Sequence, residues 1–128
     1  MKLLFVLIFC ILLSCNGQRS DPDKALANCY KIVNKKGDVS TNRNYDIYIL
    51  DTSKISEINE YLSNRFDEED VGFIQINYYD DQTIAETFIE KQFSTSVSET
   101  EKNKLFSHYI ASYRHNHATG YKKFSLMH

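Results

Sequence analysis

The stretch that decides the fold is residues 45–79, YDIYILDTSKISEINEYLSNRFDEEDVGFIQINYY. Residues 45–50 are rich in Ile and Tyr and predict a compact strand. The apolar residues that follow recur at helical spacing and predict one amphipathic helix, with Ile55, Ile58, Leu62 and Phe66 on its buried stripe. In residues 71–79, apolar and polar side chains alternate, which is typical of a second strand. This order predicts a right-handed parallel crossover if both strands belong to one sheet.

Further elements are predicted on both sides of this unit. Upstream, residues 26–33 favour a first strand, which a polar region around Gly37 separates from the next strand. Downstream, Asp80 or Asp81 can cap a helix whose apolar stripe ends at Phe93.

A third helix and a last strand follow. Ser98 with Glu101 fits a capping box, in which each side chain satisfies a backbone donor of the other residue. Apolar residues at helical spacing extend this helix to about His115, and residues 121–127 predict the final strand. The expected fold class is α+β: a two-layer domain in which about three helices cover a four-stranded mixed sheet.

The beginning of the chain carries the clearest signal for location. Lys2 precedes an apolar run at residues 3–13, which as a helix would be about 16 Å long. The hydrocarbon core of a bilayer is about 30 Å thick, so this run is too short to span it comfortably. A charged start, a short apolar core and a small residue before a cleavage point are typical of a secretory signal peptide.

Residues 12–15, Leu-Leu-Ser-Cys, resemble the lipobox of bacterial lipoproteins. The resemblance implies that Cys15 becomes the first mature residue and carries thioether-linked diacylglycerol, usually with an amide-linked acyl chain. Two or three acyl chains anchor a protein stably, whereas one binds only marginally. The alternative is an ordinary signal peptide cut after Gly17, which would release a soluble secreted protein.

These expectations give a simple domain plan. Residues 1–14 form a lipoprotein signal peptide, residues 15–24 form the lipidated cysteine and a polar tether, and residues 25–128 form a single domain. After removal of the signal and lipidation of Cys15, only Cys29 remains free, so no intramolecular disulfide framework is expected. We predict that Cys29 is a buried, inert thiol.

Charge excludes one class of partner and suggests another. The formal net charge is −2, which argues against a general nucleic-acid binder with a strong basic stripe. The sequence after Glu101, however, contains five cations and no carboxylate. The cations are Lys102, Lys104, Arg114, Lys122 and Lys123. They indicate a basic face that meets anionic headgroups or a partner's acidic surface, and the alternative is that they only promote solubility.

Tyr79 alternates away from the apolar side of its strand, and we expect it to present an exposed ring to a partner.

All four histidines lie in the C-terminal part of the chain, at positions 108, 115, 117 and 128. In a helix, His108 and His115 would be separated by about 10 Å along the axis, too far for one ion to bridge readily. His115 and His117 can face one ion if the helix ends between them, but no carboxylate follows Glu101. We therefore predict no resident metal and no cofactor, and keep a small hydrolase or metal-dependent enzyme using His115 and His117 as the alternative.

Catalytic motifs are absent from the sequence: it contains no G-x-S-x-G elbow, no G-x-G-x-x-G loop and no Walker A loop. The leading hypothesis is therefore an extracytoplasmic, membrane-anchored lipoprotein that binds another envelope protein or ligand without catalysis. An inhibitor or immunity role is a narrower version of this hypothesis, and a purely structural envelope component is a further alternative. The sequence leaves open whether the inner or the outer membrane holds the anchor.

Overall fold

The computed structural model describes residues 22–37, 41–69 and 72–127. The predicted signal peptide, Cys15 and most of the predicted tether lie outside the described residues. In the described part of the chain, no helix is both long enough and apolar enough to cross a bilayer.

Within the described residues, a five-stranded mixed sheet organises the domain, in the order β1-β2-β3-β4-β5. The strands are β1 (Tyr30–Lys36), β2 (Asn42–Ile49), β3 (Phe73–Tyr79), β4 (Tyr109–Asn116) and β5 (Tyr121–Leu126). The helices are α1 (Pro22–Leu26), α2 (Ile55–Asp67, preceded by a 3₁₀ turn at Thr52–Lys54), α3 (Gln82–Gln92) and α4 (Glu99–Ser107). β2 and β3 pair in parallel, and the other neighbouring strands pair antiparallel. The parallel strand, helix, strand unit predicted from residues 45–79 is therefore confirmed.

Helices pack on both faces of the sheet. The face that carries Ile76 and Tyr78 packs against α2, and we call it the α2 face. The opposite face carries Asn77 and Tyr79 and is partly covered by α3 and α4, so we call it the α3 face. The domain therefore has three layers where α3 and α4 lie, and the two-layer arrangement predicted from the sequence is wrong.

The third predicted helix ends early, and a strand follows it. α4 ends at Ser107 instead of reaching His115, and β4 begins at Tyr109. Ser98 is the N-cap of α4, and its hydroxyl accepts a hydrogen bond from the Glu101 backbone N–H, which is one half of the predicted capping box. β4 lies between β3 and β5, so ladder hydrogen bonds on both of its edges outweigh the helix-like spacing of its apolar residues. The described residues thus contain five strands and four α-helices, where the sequence predicted four strands and three helices.

The first predicted strand begins too early. Residue Leu26 closes α1 and is buried in the core, and β1 begins at Tyr30. Pro22 occupies the first position of α1, where its fixed φ favours a helix and its missing N–H is not needed. Cys29, between α1 and β1, is half-buried and free.

Tyr79 is buried completely, so the predicted exposed ring at this position is wrong. The alternation placed the side chain on the correct side of β3, but α3 and α4 cover that end of the α3 face. The Tyr79 ring lies 5.2 Å from that of Phe88 and 5.4 Å from that of Tyr109, measured between centroids. Burial raises the pKa of its hydroxyl well above the usual value, and the nearby Asp46 carboxyl raises it further.

Candidate functional site

The β4–β5 hairpin brings together the basic residues and histidines that the sequence singled out, and sorts them between its two faces. The strand register pairs Arg114 with Lys123, and it pairs His115 with Lys122. Because successive side chains of a strand point to opposite faces, Arg114 and Lys123 lie on the α3 face, whereas His115 and Lys122 lie on the α2 face. The predicted interaction residues therefore do not form one patch.

On the α2 face, Asp67 is the centre of a compact polar cluster. Its Oδ1 lies 2.8 Å from Nδ1 of His115, and its Oδ2 accepts a hydrogen bond of 2.8 Å from the Tyr113 hydroxyl. The Lys122 ammonium also lies 2.8 Å from Oδ2. Only 14% of the Asp67 side chain and 13% of the His115 side chain are exposed, so these contacts are largely shielded from water.

The environment of Asp67 keeps it ionised. Burial raises the pKa of its carboxyl, but the hydrogen bonds from Lys122, His115 and Tyr113 outweigh burial, and the pKa lies below its ordinary value. Asp67 is the last residue of α2, where the negative end of the helix dipole disfavours a carboxylate. The donors from the hairpin therefore compensate for an unfavourable position of the charge.

A neighbouring ion pair fixes the chain just after α2. Arg43, which is buried in β2, places Nη1 3.0 Å from Oε2 of Glu69. Oε1 of Glu69 accepts a hydrogen bond of 2.7 Å from the Tyr45 hydroxyl. Burial, followed by the contact with Glu69, raises the pKa of Tyr45 to about 12. The two contacts hold the segment that follows Asp67 against β2.

His117 completes the cluster on the α2 face. Its ring centroid lies 3.9 Å from that of His115, and its backbone N–H donates to the Gly72 carbonyl. Its Nδ1 is buried and has no hydrogen-bond partner among the described residues. One potential ligand atom from each of Asp67, His115 and His117 lies within 4.8 Å of the other two. These three residues can together hold a metal ion.

Sequence reasoning missed Asp67 as the partner of the two histidines. It is separated from His115 by 48 positions, and only the pairing of β3 with β4 brings the end of α2 to this face. The available signal was the acidic run at residues 67–70, which directly follows the buried stripe of the predicted helix. The other histidines do not join the cluster: His108 Nδ1 lies 2.7 Å from Asp80, and His128 is outside the described residues.

On the α3 face, the hairpin forms a basic surface that no helix is seen to cover. One shallow depression is lined by six residues, which we call the hairpin face: Ser112, Arg114, Tyr121, Lys123, Ser125 and Met127. Arg114 and Lys123 are exposed, and neither forms an ion pair with any residue in the described ranges. Half of Tyr121 is also exposed.

The sequence contained the signal for Tyr121 as well. In the strand predicted at residues 121–127, Phe124 and Leu126 share one face, so the odd-numbered residues point to the opposite face. The exposed tyrosine on this side of the molecule is therefore Tyr121, and not Tyr79.

Comparisons with known proteins do not assign the chain to a family. No family model matches it, and neither the curated proteins nor the solved structures contain a significant match.

Proposed function

We propose that this protein is a lipid-anchored, extracytoplasmic binding protein whose hairpin face contacts an acidic surface of a partner protein. The observation that carries the proposal is the cross-strand pair of Arg114 and Lys123. Both side chains are exposed, and both lack a carboxylate partner in the described part of the chain.

Two like charges at directly opposite positions of a hairpin destabilise it. Lys122, the neighbour of Lys123, has a carboxylate partner in Asp67, so the hairpin pairs one of its cations and leaves two adjacent cations unpaired. A carboxylate of a partner protein between Arg114 and Lys123 would remove the repulsion and form two charge-assisted hydrogen bonds. Binding would therefore relieve an unfavourable feature of the free domain.

The remaining groups of the hairpin face suit a protein partner. Tyr121 offers a large ring with a polar hydroxyl, and Tyr and Arg are enriched among the residues that contribute most to binding energy at interfaces. Ser125, which is half-buried and lies opposite the buried Ser112 in the register, adds a hydroxyl group that can both donate and accept a hydrogen bond. A strip of acidic and polar groups on a partner would match this pattern.

The lipid anchor is the second part of the proposal, and its support is the resemblance of residues 12–15 to a lipobox. Acyl chains on Cys15 would hold the domain at a membrane and restrict its partners to those that reach the same surface. The intact mass of membrane-extracted protein tests the anchor: a mature chain that begins at Cys15 with diacylglycerol supports it, and an unmodified chain that begins at Gln18 contradicts it.

A matched set of charge variants tests the binding proposal. The wild-type protein, extracted in detergent, is used to capture proteins from solubilised envelopes alongside the Arg114→Glu/Lys123→Glu double variant. We expect an acidic protein to be captured by the wild type, to be lost with the double variant, and to dissociate at high salt. The double variant keeps a like-charge pair at the same positions, so its fold should be preserved.

The control carries the same change in net charge elsewhere. Lys31 in β1 and Lys104 in α4 are exposed, and the Lys31→Glu/Lys104→Glu variant should capture the partner as the wild type does. Equal loss with both double variants would mean that only net charge matters. Retention by anionic vesicles without any captured protein would mean that the hairpin face meets lipid headgroups. Either result would contradict the proposal.

A further inference from the structure

The opposite side of the same hairpin carries a site of a different kind, built from Asp67, His115 and His117. We infer that this cluster binds a divalent transition-metal ion of the zinc class through one ring nitrogen of each histidine and one carboxylate oxygen of Asp67. The inference does not depend on the proposed partner, because the two sets of residues lie on opposite faces of β4 and β5.

The positions of the three side chains favour this assignment. His115 and His117 are two residues apart in and just after β4, so both rings lie on the α2 face. Zinc binds nitrogen and oxygen ligands at about 2.0–2.2 Å, so the ligand atoms of a tetrahedral site are about 3.4 Å apart. The Asp67 Oδ1 to His115 Nδ1 distance is 2.8 Å, and the whole set lies within 4.8 Å. Small rotations of the side chains would bring all three atoms to the required spacing.

The buried nitrogen of His117 is a second, independent observation. Buried polar atoms nearly always have a hydrogen-bond partner, and an exception requires an explanation. Nδ1 of His117 has no partner in the described residues, and one ring nitrogen of this histidine lies within 4.8 Å of ligand atoms of Asp67 and His115. A metal ion bound to this lone pair would satisfy the atom.

The donor set selects the class of ion. Imidazole nitrogen suits Zn²⁺, Ni²⁺ and Cu²⁺, whereas Ca²⁺ and Mg²⁺ prefer oxygen ligands. Three protein ligands also leave one position of a tetrahedral ion for water or a ligand. The ion would take the place of the hydrogen between Nδ1 of His115 and Asp67, and the imidazole would carry its N–H on Nε2 instead.

The charge of Lys122 should affect zinc affinity, an effect that a purely structural cluster would not show. Its ammonium contacts Asp67, although half of its side chain is exposed. A positive charge next to the site must oppose binding of a cation. Removing it with Lys122→Gln should therefore raise zinc affinity, even though it removes an ion pair from the folded protein.

Calorimetric titration of the detergent-extracted, full-length protein with Zn²⁺ tests the site. We expect one ion per chain and at least a tenfold loss of affinity for His117→Ala. Lys122→Gln should bind about tenfold more tightly than the wild type.

Two control variants separate this site from incidental binding by other histidines. His108→Ala replaces the histidine that pairs with Asp80, and His128→Ala replaces the histidine at position 128. Both should bind zinc as the wild type does. Unchanged affinity in His117→Ala, or weaker affinity in Lys122→Gln, would overturn the inference, and circular dichroism of each variant shows whether it is folded.

Discussion

At the scale of single residues, Asp67 shows how a carboxylate is stabilised in an unfavourable position. It lies at the end of α2, is largely shielded from water, and accepts hydrogen bonds from three side chains of the hairpin. Each of these bonds joins α2 to β4 or β5. Asp67 therefore couples the helix to the hairpin, in addition to any role as a ligand.

The Asp67→Asn variant tests this coupling in metal-free buffer. An amide cannot satisfy all three donors, so we expect the free energy of unfolding at pH 7 to fall by about 1–3 kcal/mol. The pKa of Asp67 is lower in the folded protein than its unfolded value of about 3.9. Its stabilisation is therefore fully present above about pH 4 and is lost as the pH falls through the lower, folded value.

Denaturant unfolding of both proteins at pH 7 and pH 3 measures this effect. The difference between wild type and variant should shrink at pH 3, because the carboxyl of the unfolded wild type binds a proton there more readily than that of the folded protein. A difference of equal size at both pH values would mean that the charge of Asp67 does not contribute to stability.

Tyr79 and Tyr121 make a contrasting pair, since one is buried and the other is half-exposed. We expect Tyr79→Ala to lower the free energy of unfolding by about 3–5 kcal/mol, because it leaves a cavity between β3 and α3. Tyr121→Ala should change stability by less than about 0.5 kcal/mol and should weaken capture of the partner. A large loss of stability for Tyr121→Ala, with capture unchanged, would assign this ring to the fold instead.

At the scale of elements, features that depend on neighbouring residues were predicted correctly from the sequence, whereas a strand that depends on long-range pairing was not. The caps of α3 and α4 depend on residues three positions apart, and Asp81 and Ser98 accept the expected hydrogen bonds. β4 depends on pairing with β3 and β5, which sequence spacing does not reveal, so residues 109–116 were predicted to be helical up to His115.

The same contrast between local and long-range information applies to the candidate site. Residue types identified Arg114, Lys123, His115 and His117, but the register of β4 and β5 decides which of them share a face. The pairing of Asp67 with His115 also joins elements that are distant in sequence. Side-chain chemistry was predictable from the sequence, and the grouping of those side chains was not.

One substitution in the hairpin should raise the stability of the domain and at the same time weaken its binding to the proposed partner. Lys123→Glu places opposite charges across from each other at the Arg114 position, so it should stabilise the domain by about 0.2–1 kcal/mol. The same change should abolish capture of an acidic partner, because the partner's carboxylates would then meet a negative charge. Thermal unfolding and the capture assay measure the two effects. If the variant is stabilised and still captures the partner, the like-charge pair of Arg114 and Lys123 is not needed for binding.

At the scale of the whole molecule, the basic region is narrower than the sequence indicated. Lys102 pairs with Glu99 and Lys122 pairs with Asp67, so the hairpin face keeps Arg114 and Lys123 as its two cations. The histidine cluster lies on the other side of the same two strands. The proposed protein partner and the proposed metal ion would therefore bind to different side chains of one hairpin.

Binding of a partner at the hairpin face is tested most directly by photo-crosslinking in intact cells that produce the full-length protein. A photoreactive phenylalanine derivative replaces Tyr121 on the hairpin face or, as a matched control, Arg65 on the exposed side of α2. We predict a crosslinked product with one acidic protein from position 121 only, and its loss when Arg114→Glu and Lys123→Glu are added. The same product from both positions, or a product that survives the charge reversal, would contradict binding of an acidic partner at the hairpin face.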